Sequence, residues 1–342
     1  MGICCGILDE DNQEEAKKLN PNQIEEQASQ KEKEEEISYQ LQNFTFKNVL
    51  GAGLFGKVLL AEHIKTKQYF AIKIIDKKQL EDQNFVESEH QILQQTQSPF
   101  IIKLYFTFEN KNKLFLGTEF VNGGDLFVHL KNNVQFSEER TRFYAVELIL
   151  ALKYLHENRI IYRDLKPENI LLDQFGHIKL TDFGLSKYKF SQITYTACGT
   201  PEYVAPEILL ERGHNECVDW YSLGILIYQM LCGSIPFYSK QLDEMIDKRL
   251  SQPFEFPKYL NQKAVDLIKG LTENEVSKRL GFKGADEILR HPFFEEIDIE
   301  AMSKRQVEPP FRPQLQGKKD LRYLDPDLLQ QEIKFEDDLN LS

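Results

Sequence analysis

The run Gly51-Ala52-Gly53-Leu54-Phe55-Gly56 fits G-x-G-x-x-G, and the residues after it decide what the chain can fold into. In a dinucleotide-binding fold the third glycine opens a helix, and an acid follows about 20 residues on. Asp76 meets that spacing, but Lys57-Val58-Leu59-Leu60-Ala61-Glu62-His63 reads as a strand. With apolar residues alternating at Phe44, Phe46, Val58 and Leu60, the glycines become the turn of a β-hairpin. Such a hairpin can lay backbone N–H groups over a row of phosphates without a helix dipole. No Gly-Lys-Ser/Thr follows, which excludes a Walker loop.

The next strand, Tyr69–Ile75, carries Lys73 inside an apolar run. A buried ammonium is costly unless it is paired or touches an anion. An edge-strand lysine facing water is the plainer alternative, but a phosphate-cradling turn just before it favours the paired reading. That reading needs an acid on the following helix. Glu89 is the better-phased candidate in Glu87-Ser88-Glu89-His90-Gln91-Ile92-Leu93, with Glu87 the runner-up.

Composition sorts the rest of the 342 residues. The net charge is -12, and residues 9–36, with 11 acids and 4 lysines, hold -7 of it. That Glu/Gln/Lys-rich stretch has no heptad and reads as a disordered or loosely helical N-terminal tail, residues 1–43. An acidic chain repels phosphate backbones, so no nucleic-acid partner is expected. Five cysteines without framework or metal-ligand spacing suggest a reducing, cytoplasmic compartment. No stretch reaches 18 apolar residues, and Asp9, Glu10 and Asp11 do not suit a signal peptide. A further strand fits Leu114–Glu119, after which helical spacing takes over in Arg140–Glu157 and Tyr221–Leu231. A small strand-rich lobe therefore precedes a larger helical one, an α+β arrangement. Beyond 295 the chain is broken by Pro309, Pro310, Pro313 and Pro326, as befits an extended tail.

Three more motifs follow in order: Tyr162-Arg163-Asp164-Leu165-Lys166-Pro167-Glu168-Asn169, then Asp182-Phe183-Gly184, then Ala205-Pro206-Glu207. With the glycine turn and Lys73 they make the chain resemble eukaryotic protein kinases from 44 to 294. Tyr162 before Arg163, the run 198–207 and the tail 295–342 look like the AGC group, similar to protein kinases A and B and the ribosomal kinases.

The resemblance implies a bilobal protein kinase fold: an N-lobe at about 44–119 with one regulatory helix, and a C-lobe at about 120–294. It implies a serine/threonine kinase that uses ATP and Mg²⁺. Gly51, Ala52, Gly53, Phe55 and Gly56 would cover the phosphates, and Lys73, paired with Glu89, would hold them. Val58, Ala71 and Leu171 would sandwich adenine, Glu119–Val121 would hydrogen-bond it, and Asp125 would reach the ribose. Asn169 and Asp182 would ligate Mg²⁺. Asp164 would orient the substrate hydroxyl, and Lys166 would neutralise the transferring phosphoryl. Glu207 would pair with Arg279, Asp219 would brace the catalytic loop, and Thr200 would reach Asp164 and Lys166.

Related kinases place upstream substrate arginines on acids matching Asp125 and Glu168, although solvated acids plus ribose binding would also account for them. Gln229 stands where such kinases usually carry Glu, which weakens the expected preference for arginine at −2 relative to −3. Leu185 resembles the choice of serine-preferring kinases. Thr196 matches the activation-loop phosphosite, which implies an upstream activating kinase and a phosphate held by Arg163 and Lys187.

In the tail, residues 320–325 look like the segment that tethers the tail near the nucleotide, with Leu324 in place of a usual aromatic. Glu336 replaces a turn-motif phosphoacceptor, and no Phe-x-x-Phe hydrophobic motif is found. At the start, Gly2 resembles a myristoylation site, although Gly6 replaces the usual Ser/Thr. Cys4 and Cys5 are placed for palmitoylation, or else are free thiols. One acyl chain anchors only marginally, and the acidic segment repels anionic lipid, so a cytoplasmic-membrane tether needs both kinds of acylation. The expected protein is a membrane-associated, monomeric kinase. The alternative is an ATP-binding scaffold with little activity, against which the complete catalytic set weighs.

Overall fold

The computed structural model describes residues 38–53, 56–77, 83–189, 193–196 and 198–333, apart from the side chains of residues 53 and 83–88. The start expected to be acylated, Gly2, Cys4 and Cys5, lies outside them, as do Phe55 and Glu336. The chain divides into Met1–Asn43, described only as a short turn of 3-10 helix at Leu41–Asn43, and Phe44–Ser342.

The second unit begins with a five-stranded antiparallel sheet in the order β1-β2-β3-β5-β4. Its strands are β1 (Phe44–Gly53), β2 (Gly56–His63), β3 (Tyr69–Asp76), β4 (Leu104–Glu109) and β5 (Lys113–Glu119). The glycine turn joins β1 to β2, and Gly53 pairs with Gly56 at its end. Gly56 has φ +125°, and a Cβ there would lie 1.9 Å from the Ile74 carbonyl oxygen, so no other residue fits. Strand alternation divides β3 cleanly. Phe70, Ile72 and Ile74 are buried, while Tyr69, Ala71 and Lys73 point the other way. Phe44, Phe70, Phe106, Phe108 and Phe115 pack ring to ring at 4.7–6.0 Å in the sheet's aromatic core.

Helix α1 (Gln83–Gln95) lies between β3 and β4 in sequence and contributes Ile92 and Leu93 to the main core. The helical part is built on α3 (Glu138–Glu157) and α5 (Cys217–Cys232). These helices were read two and four residues short at their starts, because Ser137 caps α3 and the first turn of α5 is buried without a clean 3.6 period. The preceding helix α2 (Leu126–Asn133) is capped by Asp125, which accepts from Val128 N at 2.7 Å. Around these pack α4 (Pro206–Leu209), α6 (Leu242–Ser251), α7 (Gln262–Leu271), α8 (Ala285–Leu289) and α9 (Ile299–Ser303). Among the described residues no helix is long and apolar enough to cross a membrane.

The tail lies along the body of this unit. Arg140 sits between the rings of Phe136 and Phe311, 3.9 and 4.0 Å from their centroids. Tyr323 packs on His129 at 5.0 Å and against Gly124, whose φ is +80° and whose missing Cβ would come within 2.7 Å of the tyrosine. Asn122 donates to Gly317 O and Asp320 O, and the last short helix, α10 (Pro326–Leu329), reaches β1 through Asn48 and Leu329 O.

Candidate active site

Short strands place the chemistry. After β6 (Ile160–Ile161) the chain makes the loop 162–166 and a 3-10 turn, Pro167–Asn169, before the hairpin of β7 (Ile170–Leu172) and β8 (Ile178–Leu180). Its register pairs Ile170 with Leu180, so the residues flanking it are brought side by side, and Thr181 N donates to Asn169 O. Asp182 follows at once. Strand β9 (Lys187–Tyr188) then returns to pair with β6 and ties the next segment to the loop.

Two positions in this region hold left-handed backbone, Arg163 (φ 70°) and Asp182 (φ 56°). Each costs on the order of 1–3 kcal/mol and needs surrounding structure to hold it. For Arg163 the clamp is Asp219, fully buried on α5, whose two oxygens accept the N–H groups of Tyr162 and Arg163 at 2.9 and 2.8 Å. His156 Nε2 lies 2.7 Å from the same carboxylate.

Lys73 reaches across from the sheet. Its Nζ is 2.8 and 2.9 Å from the Glu89 oxygens and 3.0 Å from Asp182 Oδ1. Burial opposes the charge on this ammonium, but the carboxylates of Glu89 and Asp182 outweigh it and hold its pKa above the ordinary lysine value. Burial also works against the Asp182 charge, yet Lys73 holds that carboxyl below its usual range.

Asp164 sits in a second cluster. Thr200 Oγ1 donates to Asp164 Oδ1 at 2.7 Å, Lys166 Nζ is 2.9 Å from Asp164 Oδ2 and 2.9 Å from Thr200 Oγ1, and Asn169 Nδ2 donates to Asp164 Oδ2 at 2.8 Å. With its nitrogen on Asp164, Asn169 offers its amide oxygen elsewhere, as a hard cation requires. The Asp182 side chain is 41% exposed, so it is open to the same space.

These groups face one cleft of about 560 Å³ between sheet and helices. Of the residues expected there, Gly51, Ala52, Gly56, Val58, Ala71, Lys73, Glu89, Glu119, Val121, Asp125, Asp164, Lys166, Glu168, Asn169, Leu171 and Asp182 all line it. Gly53 stands at its rim by its pairing with Gly56. Glu119 departs from its expected role in part, because its N–H is already donated to Lys103 O. At the mouth, burial raises the Asp125 carboxyl to about 6 with help from Glu168, and burial likewise raises Glu168. Thr196 is exposed and lies apart from the cleft lining.

The inner wall, Leu93, Ile102, Leu116 and Thr118, carries no sequence expectation, although alternation along β5 marks Leu116 and Thr118. Leu324 lines the cleft from the tail segment 320–325, the one expected near the nucleotide.

Comparison with known proteins agrees with this arrangement. A family model described as the protein kinase domain matches residues 44–294. Protein kinase 2 of Dictyostelium discoideum is 46% identical over 83% of this chain and 60% of its own length. Serine/threonine-protein kinase Sgk1 of Gallus gallus is 42% identical over 85% of this chain and 69% of its own, and akt-1 of Caenorhabditis elegans is 40% identical over 86% and 56%. The chain thus spans about half to two thirds of the length of the relatives it matches. It belongs to the protein kinase family, in the AGC group.

Proposed function

We propose that the chain is an ATP-dependent serine/threonine kinase that phosphorylates protein substrates. The observation that carries this reading is the pair of charged clusters facing one cleft: Lys73 with Glu89 and Asp182 on one side, Asp164 with Lys166, Thr200 and Asn169 on the other. Phosphoryl transfer asks a protein for alignment and charge neutralisation more than covalent chemistry.

The substrate hydroxyl oxygen forms its bond to the γ-phosphorus as the bond to the β-phosphate oxygen breaks, and ADP leaves. Asp164 orients that hydroxyl and accepts its proton. Lys166 faces the transferring group, and Lys73, held protonated, faces the phosphates of the bound nucleotide. Val58, Ala71 and Leu171 line the cleft where the adenine packs. Asn169 and Asp182 would hold Mg²⁺ by their oxygens; when bound, the ion neutralises phosphate charge.

The raised carboxyls of Asp125 and Glu168 at the mouth support recognition of an arginine at −3, because a guanidinium recovers the charge that burial disfavours. Buried Gln229 accepts from Tyr203 Oη at 2.7 Å, which supports a weak preference at −2. Phosphorylation of exposed Thr196 by an upstream kinase activates the enzyme, and Arg163 Nη1, buried and without a partner among the described residues, supports that reading. Acylation of Gly2, Cys4 and Cys5 tethers the monomer to the cytoplasmic membrane face. Peptide phosphorylation by the purified chain, with Asp164→Asn as blank, tests the activity.

A further inference from the structure

We propose that Arg163 and His214 together seat the phosphate on Thr196, so that the activated state of this chain responds to pH as well as to phosphorylation. This rests on the reading of Thr196 as a regulatory phosphosite held by Arg163 and Lys187, and adds His214 to them.

Two side chains near the segment 193–196, Arg163 and His214, are more than nine-tenths buried, and among the described residues Arg163 Nη1 and His214 Nε2 have no hydrogen-bond partner. The other guanidinium nitrogen with a partner here, Nε, donates to Leu185 O at 2.7 Å, which fixes the plane of the group. Buried polar atoms without partners are uncommon and call for a missing partner.

The chain path brackets Thr196 between them. Thr194 and His214 exchange both backbone hydrogen bonds at 2.9 Å. Gly213 lies directly under this segment, since a Cβ there would meet the Ile193 side chain at 2.3 Å and Tyr195 at 3.0 Å. On the other flank, Cys198 lies close enough to Arg163 for the guanidinium to act on its thiol, which burial pushes up. Thr196 is two residues from each flank, at most about 7 Å of extended chain. It is exposed, so a modifying enzyme can reach it. Its Oγ1 takes the γ-phosphoryl of ATP as the bond to ADP breaks and the hydroxyl proton leaves. The product carries three acceptor oxygens for the Arg163 donor and, once the imidazole is protonated, for His214 Nε2.

The groups facing His214 set its charge. Burial, and then the charge of Arg163, hold the imidazole down at about 4, against the opposing pull of Glu207 and Asp219. Both acids are already engaged, Glu207 by Arg279 and Asp219 by the 162–163 backbone and His156. Without phosphate the seat therefore holds a neutral imidazole. A phosphate dianion reverses the balance, and His214 takes up a proton near neutral pH.

The test is a histidine NMR titration of the intact chain with and without phosphate on Thr196, alongside peptide-kinase activity of wild type, His214→Gln and Thr196→Ala between pH 6.5 and 8. We expect the His214 midpoint to rise from about 4 toward or above the ordinary value of about 6.5 on phosphorylation. His214→Gln should lose about tenfold of the activation and its pH dependence. The titration needs no substitution, so misfolding of the variant cannot mask the answer. An unmoved His214 midpoint with His214→Gln activated like wild type would overturn the seat and leave the Thr196 switch standing. Failure of phosphate on Thr196 to activate wild type overturns both. A full shift produced by inorganic phosphate on the unmodified chain overturns the assignment to Thr196, leaving a free-phosphate site.

Discussion

Arg279 and Glu207, far apart in sequence, meet in a two-pronged ion pair, Nη1 to Oε1 at 2.6 Å and Nη2 to Oε2 at 2.9 Å. Both are buried, and Arg279 also donates to Glu273 O and Cys217 O. Glu207 lies in the first turn of α4 and Cys217 opens α5, so Arg279 ties the two helices together.

Breaking such a pair strands a buried charge. Glu207→Ala should destabilise the chain by about 3–5 kcal/mol. Denaturant unfolding of the two proteins measures this; a loss below about 1 kcal/mol would mean that the charge is relieved elsewhere.

Asp164 and Lys73 should separate activity from stability. Asp164→Asn should lower kcat by about 10²–10⁴-fold, the range for a positioned acid–base group, with unfolding little changed. Asp164→Asn keeping more than a tenth of wild-type kcat would remove Asp164 from the chemistry. Lys73→Met should lose activity and also free Glu89, which is 3% exposed and, among the described residues, has no other cation at hydrogen-bonding distance.

Selectivity at −3 should depend on pH. The Asp125 carboxyl titrates at about 6, so it is charged above that value and neutral below it. Preference for arginine over alanine at −3 should hold at pH 7.5 and weaken as pH falls through 6; charge-assisted contacts of about 1.5–3 kcal/mol correspond to roughly 10- to 100-fold. Asp125→Asn should show the low preference at every pH. Steady-state kinetics with paired peptides read both, and a preference that ignores pH and the substitution would exclude Asp125.

The tail should act on nucleotide binding. Leu324 lines the cleft and is half-buried, so Leu324→Ala should raise the KM for ATP by about fivefold, on the order of 1 kcal/mol of lost apolar contact. Tyr323→Ala, which removes the packing on His129 and Gly124, should do the same without touching the cleft. Unchanged KM in both would leave the tail a surface strap.

What the sequence reveals of this site follows from where each constraint lives. Lys73, Glu89, Asp164 and Asp182 were legible because each sits in a run whose chemistry makes no sense alone: an ammonium in an apolar strand, acids beside glycine and proline. Arg279, Asp219 and Thr200 became legible through resemblance, since their partners are distant in sequence. The inner wall was not legible, because an apolar residue facing a cleft has the same local pattern as one facing a core; Leu324 was legible only through the resemblance of its tail segment. The start of α5 was obscured for a related reason: a helix buried on every side shows no amphipathic edge.

The most direct test of the central claim is transfer of phosphate from Mg-ATP onto a positional peptide library, with Asp164→Asn as blank. The account predicts transfer onto serine peptides carrying arginine at −3, absent in the blank. Protein phosphorylated at Thr196 that transfers no more than the blank would contradict it.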